Sequence, residues 1–93
     1  MSRENRDLVL KRFSSKLNAA ILDRYGSKFN GTDFANQYNL RASGTTTITR
    51  QTAFRWTSGK GFPDPGRLVV LVEWLDLDLR AIFQLTEGIK RRS

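Results

Sequence analysis

Residues 48–60 read ITRQTAFRWTSGK, a short helix written together with both of its ends. Thr49 stands at the N-cap, where a hydroxyl accepts a hydrogen bond from one of the first free amides. Ile48, just before it, is apolar. Gly59 closes the run as a left-handed C-terminal cap does. Ala53 and Trp56 lie three apart, so they share a face that packs inward. Arg50, Gln51 and Arg55 point the other way. Such a face suits the edges of base pairs in the major groove: Arg donates a bidentate pair to guanine, and Gln both donates to and accepts from adenine. Phe54 is left open by its spacing, either in the core or exposed against a sugar or methyl group.

The rest of the chain reads as helices around this one. Leu10, Phe13, Leu17, Ala20 and Ile21 make one helical stripe, and Tyr25-Gly26 is a stop, so the pattern predicts a first helix over 7–25. Residues 1–7 are polar and are expected to be loosely attached. Thr32 is expected to cap a second helix whose inward face is Phe34, Ala35 and Tyr38, with Leu40 at its close. RASGTTT, residues 41–47, reads as a polar loop. Gly59, Gly61, Pro63, Pro65 and Gly66 mark a turn-rich connection. Leu68, Leu71, Val72 and Leu75 then define a fourth helix. Val69, Val70 and Trp74 make it apolar over more than one face, as a central helix or one that meets a partner would be. Asp76-Leu77-Asp78 breaks it, and Leu79, Ile82 and Phe83 begin a fifth. No repeat or heptad divides the chain, so the expectation is one all-α domain, a compact five-helix bundle.

Composition narrows the function. The 93 residues carry 16 Lys and Arg against nine Asp and Glu, a net charge of +7. An excess of that size beside a helix of this kind points to a polyanion partner. There is no Cys and no His, which removes disulfides, Cys/His zinc sites and His general-base chemistry. The nine acids form no convincing catalytic pair, so neither an enzyme nor a cofactor is expected. The charged N-terminus lacks an apolar signal core, and no apolar stretch is long enough for a membrane span. The expected compartment is therefore the bacterial cytoplasm, on the nucleoid. Ser58-Gly59-Lys60-Gly61 is not a P-loop, because the earlier glycine and the Ser/Thr after Lys are missing.

Taken in order, TDFANQY, ITRQTAFRWTSGK and PDPGRLVVLVEWLDLDLRAIF resemble the helix-turn-helix domain of phage repressors and Cro-type regulators. With the first helix, the likeness covers about residues 8–85. Trp56 to Gly59 and the Pro-bearing loop before an apolar helix four carry it. YNLRASGTTTITRQTAFRW resembles more narrowly the bacterial, phage and plasmid regulators with an extended link between helices two and three. By count that link is about eight residues longer than the compact pattern, whose turn is about three to four.

The resemblance implies a lambda-repressor-like fold and a set of contacts. The first two residues after the helix-three cap, and the sixth, reach base edges: Arg50, Gln51 and Arg55. Thr52 is adjacent and can touch a thymine methyl. The amide end of helix two, Asn30 to Thr32, suits a phosphate, with Thr49, Lys60 and Arg67 as further phosphate partners. The implied function is a transcriptional regulator of phage, plasmid or mobile-element genes. It would bind double-stranded operator DNA as a homodimer and repress by occupancy. The apolar excess of Trp74, Leu79, Ile82, Phe83, Leu85 and Ile89 marks the expected dimer interface. A DNA-binding antitoxin with a toxin partner, and a non-enzymatic protein-interaction module, are the alternatives.

Overall fold

Phe13, Leu17 and Ile21 lie four apart on one stripe, and the burial of that stripe organises the molecule. In the computed structural model, which describes residues 3–83, they line helix α1, Arg3–Tyr25. α1 starts four residues before the predicted start at 7 and seven before the apolar stripe opens at Leu10. The sequence there is charged, so no stripe marks it. The helix ends where the sequence predicts. Gly26 takes φ 85° and its amide donates to the Leu22 carbonyl at 3.0 Å.

Helix α2 spans Gly31–Arg41 and is capped by Asn30, not by Thr32. Asn30 Oδ1 accepts from the Asp33 amide at 2.9 Å, and Asp33 Oδ2 accepts from the Asn30 amide at 3.2 Å. That reciprocal box needs an acid three residues after the cap. Asp33 supplies it for Asn30, and Thr32 has no counterpart at Ala35. Phe34, Ala35 and Tyr38 are buried, as their spacing predicts.

Helix α3 spans Arg50–Thr57, helix α4 Pro65–Leu75, and helix α5 is described over Leu79–Phe83. Among the described residues the only other regular element is a single 3-10 turn, Gly44–Thr46, inside the α2–α3 link. Pro65 opens α4 at a position where a missing amide costs nothing. Asp76 takes a left-handed φ of 56° and ends it. Asp78 then starts α5, its Oδ1 accepting from the Ala81 amide at 3.2 Å.

α1 packs against α3, α4 and α5, while α2 packs against α3 and α4. Two runs of aromatic contacts bind these layers. One joins Phe13, Phe62 and Phe83, with ring centroids 4.9 and 5.7 Å apart. The other links Tyr25, Trp74, Phe34, Trp56 and Tyr38 across α1, α2, α3 and α4. Tilted and edge-on rings of this kind add to the burial of their area.

Trp74 belongs to that second run. It is 5% exposed, its indole donates to the Tyr25 hydroxyl at 2.9 Å, and the Arg41 guanidinium lies over its ring at 4.9 Å. Ile82 is fully buried. Neither therefore offers surface to a second copy, which corrects the expected interface at both residues. Both are covered within one chain, where α1 packs against α4 and α5. Leu79 and Phe83 are half-buried against the same core. Leu85 and Ile89 lie outside the described residues.

Candidate nucleic-acid interface

α3 is held in place from below and at both ends. Ala53 and Trp56 are buried, and Trp56 meets Phe34 and Tyr38 edge-on. At the start, Thr49 Oγ1 accepts from the Thr52 amide at 3.2 Å. At the end, the Lys60 amide donates to the Arg55 carbonyl at 2.9 Å and the Gly59 amide to Trp56 at 3.4 Å. These two bonds are the Schellman pattern, and Gly59 supplies its left-handed residue with φ 78°. A Cβ on Gly59 would also come within 3.3 Å of Ser14 Oγ, so α1 passes close by. From α1, Asn18 Nδ2 donates to the Thr57 carbonyl at 2.9 Å. A helix of only eight residues is thereby made rigid.

The link before α3 is pinned as well. It runs over residues 42–49, eight in all, so it exceeds a compact turn by only about four or five residues. The count of eight is the length of the whole link, not its excess over a compact turn. Asn39 grips the link with both ends of its amide: Oδ1 accepts from the Ile48 amide at 2.8 Å and Nδ2 donates to the Ile48 carbonyl at 2.9 Å. The Tyr38 hydroxyl donates to the Thr46 carbonyl at 2.9 Å. Burial raises the Tyr38 pKa, with Arg67 opposing and Asp64 reinforcing the shift, so the phenol stays a donor through the neutral range.

Arg67 completes the clamp. Its Nη2 donates to the Thr45 and Thr47 carbonyls at 2.8 and 3.2 Å, and its Nη1 pairs with Asp64 at 3.1 Å. Assigned to a phosphate from sequence, it is engaged within the fold. Asn39→Ala should lower stability by ~1–3 kcal/mol, since both Ile48 backbone groups lose their partner. Thermal melting checks this, and an unchanged melting temperature would mean that the link holds without Asn39.

What α3 shows to solvent is a mixed surface. Arg50, Gln51, Phe54 and Arg55 are all exposed. Gly31, Thr49, Arg50, Gln51, Phe54 and Thr57 line one open groove of about 680 Å³. This brings together Arg50, Gln51 and Thr49 with the first residue of α2. A Cβ on Gly31 would lie 3.3 Å from Arg50 Cγ, so the stem of Arg50 crosses close above the start of α2. Thr32 is exposed in that first turn, while the Asn30 side chain is spent on its own capping.

Thr52, Arg55 and Lys60, like Arg67, stand apart from this groove. Thr52 turns to the other flank of α3, where Thr47, Pro63, Asp64 and Arg67 line a second groove with it. Arg55 folds back, its Nη2 donating to the Lys60 carbonyl at 2.8 Å. To reach a base it must give up that bond. Lys60 is exposed just beyond the end of α3. Phe54 is settled as an exposed residue, 59% accessible, which its spacing alone left open.

Charge along the sequence between the first turn of α2 and the end of the loop after α3 has one sign. Between Asp33 and Asp64 the sequence holds Arg41, Arg50, Arg55 and Lys60 and no acidic residue. Among the described residues no group of three or more acidic side chains is placed to hold a metal ion, and no helix is long and apolar enough to cross a membrane. No family model, curated protein or solved structure matches this chain.

Proposed function

We propose that this protein is a sequence-specific regulator of transcription, built as a lambda-repressor-like helix-turn-helix domain. α3 enters the major groove of double-stranded DNA, and Arg50 and Gln51 read base edges there. The observation that carries this reading is the outward face of α3. It is a rigid, two-turn surface with two strong donors and an amide, set in a stretch without acids. A helix with its side chains is about 10–12 Å across, which the major groove's width of about 12 Å admits. Arg55 joins the reading residues once its hydrogen bond to Lys60 is exchanged for one to DNA. Lys60 and the first amides of α2, at Gly31 and Thr32, hold phosphates.

The reading extends to a homodimer that represses phage, plasmid or mobile-element genes by occupying the operator. No enzymatic step and no cofactor belongs to it. Footprinting on the DNA flanking its own gene is the direct experiment. Two protected half-sites about 34 Å apart, centre to centre, are expected of a two-fold dimer. A single protected half-site would remove the dimer from the reading. No protection anywhere would favour a protein-interaction module. Salt gives an independent check. Lys60→Ala should flatten the slope of log K against log salt by about 0.9 and leave sequence preference alone. An unchanged slope would free Lys60 of its phosphate role.

A further inference from the structure

We infer that Phe54 is a specificity-determining residue that reads the 5-methyl group of a thymine. The inference rests on α3 being the DNA-reading helix. Phe54 is 59% exposed on an otherwise polar face, while the other aromatic side chains of α2 and α3 (Phe34, Tyr38 and Trp56) are buried. Its ring lines the open groove beside Arg50, Gln51 and Thr57. An apolar ring left in water gives up the free energy it would gain under an apolar cover. The chemistry around it selects that cover. The neighbouring cation and amide fit an anionic, hydrogen-bonding partner rather than an apolar protein surface. On a DNA duplex the apolar feature of the major groove is the thymine methyl.

Position along the helix makes the site specific. Phe54 follows Arg50 by four residues and Gln51 by three, a rise of about 6 Å and about 4.5 Å. Base pairs stack about 3.4 Å apart, so the methyl belongs within about two pairs of the bases that Arg50 and Gln51 contact. A purine read by Arg50 or Gln51 beside a T·A pair is the implied pattern.

The test uses the full chain and an operator duplex obtained by selection from random DNA. Each thymine is replaced singly by deoxyuridine, which removes the methyl and leaves every hydrogen-bonding group in place. Binding is titrated with the wild type and with Phe54→Ala. One thymine near the Arg50 and Gln51 contacts should cost the wild type about three- to fivefold when demethylated, the worth of one buried methyl. Phe54→Ala should bind the unmodified site more weakly and be indifferent to the same change. Its melting temperature should match the wild type, because the ring is exposed. A wild type indifferent to every demethylation overturns the inference while leaving DNA binding intact. So does a Phe54→Ala variant that keeps the wild-type sensitivity. A wild type that selects no DNA sequence overturns the regulator reading itself, and the inference with it. Loss of self-association in Phe54→Ala, with demethylation silent, would assign the ring to a second copy instead.

Discussion

Trp56→Ala is expected to remove a large share of the protein's stability, with a loss of ~3–5 kcal/mol. Trp56 is 3% exposed and closes the contact between α2 and α3 through Phe34 and Tyr38. Its loss leaves a cavity beneath the only helix that carries Arg50 and Gln51. Small domains hold about 5–15 kcal/mol in total, so a drop in melting temperature on the order of 20 °C follows. DNA binding should fail as a consequence, in proportion to the unfolded fraction. Helical circular dichroism during heating measures this. A variant that melted within a few degrees of the wild type would show that α3 is held by its ends rather than by its buried face.

Arg50→Ala and Gln51→Ala should do the opposite. Both side chains are solvent-exposed, so melting should shift by no more than ~0.5 kcal/mol worth of stability. Each should weaken binding to the cognate site by ~1–3 kcal/mol, roughly five- to 150-fold, and relax selectivity at one base pair. Competition titrations against cognate and single-substituted duplexes resolve the two effects. Equal weakening on every sequence would reduce these residues to general electrostatic contacts.

The ends of α3 were legible in the sequence because capping is local. Thr49, Gly59 and the inward pair Ala53 and Trp56 all lie within a dozen residues, and the structure places each as its chemistry requires. The α2 cap was misplaced at Thr32: Asn30 and Thr32 both suit a cap, and Asp33 decides for Asn30. The start of α1 was hidden because charged turns carry no apolar period. The role of Arg67 was hidden for another reason. It bonds to carbonyls 20 and 22 residues away, and nothing local says that the link crosses α4 there. Trp74 shows the same limit. Its apolarity marks it for burial, but sequence pattern cannot tell burial in one chain from burial between two. The side chains that enclose it come from two other helices, Tyr25 from α1 and Phe34 and Arg41 from α2.

Asn39 and Arg67 also change how the long link reads. A longer connection implies an uncertain angle between α2 and α3 only when it is unsupported. Here Tyr38, Asn39 and Arg67 tie five of its backbone groups to α2 and α4. The outward face of α3 is thus positioned by buried aromatics below and by polar clamps at its N-terminal approach. This is the rigidity that recognition of base edges demands.

Selection from a pool of random DNA duplexes tests the central claim most directly, run in parallel with the wild type and an Arg50→Ala/Gln51→Ala double variant. The wild type should enrich one motif. The double variant, folded and still able to hold phosphates, should lose preference at one or two adjacent base pairs of that motif and keep the remainder. Enrichment of the same motif with the same preferences by both proteins, or of none by the wild type, would contradict the assignment of α3 as the reader.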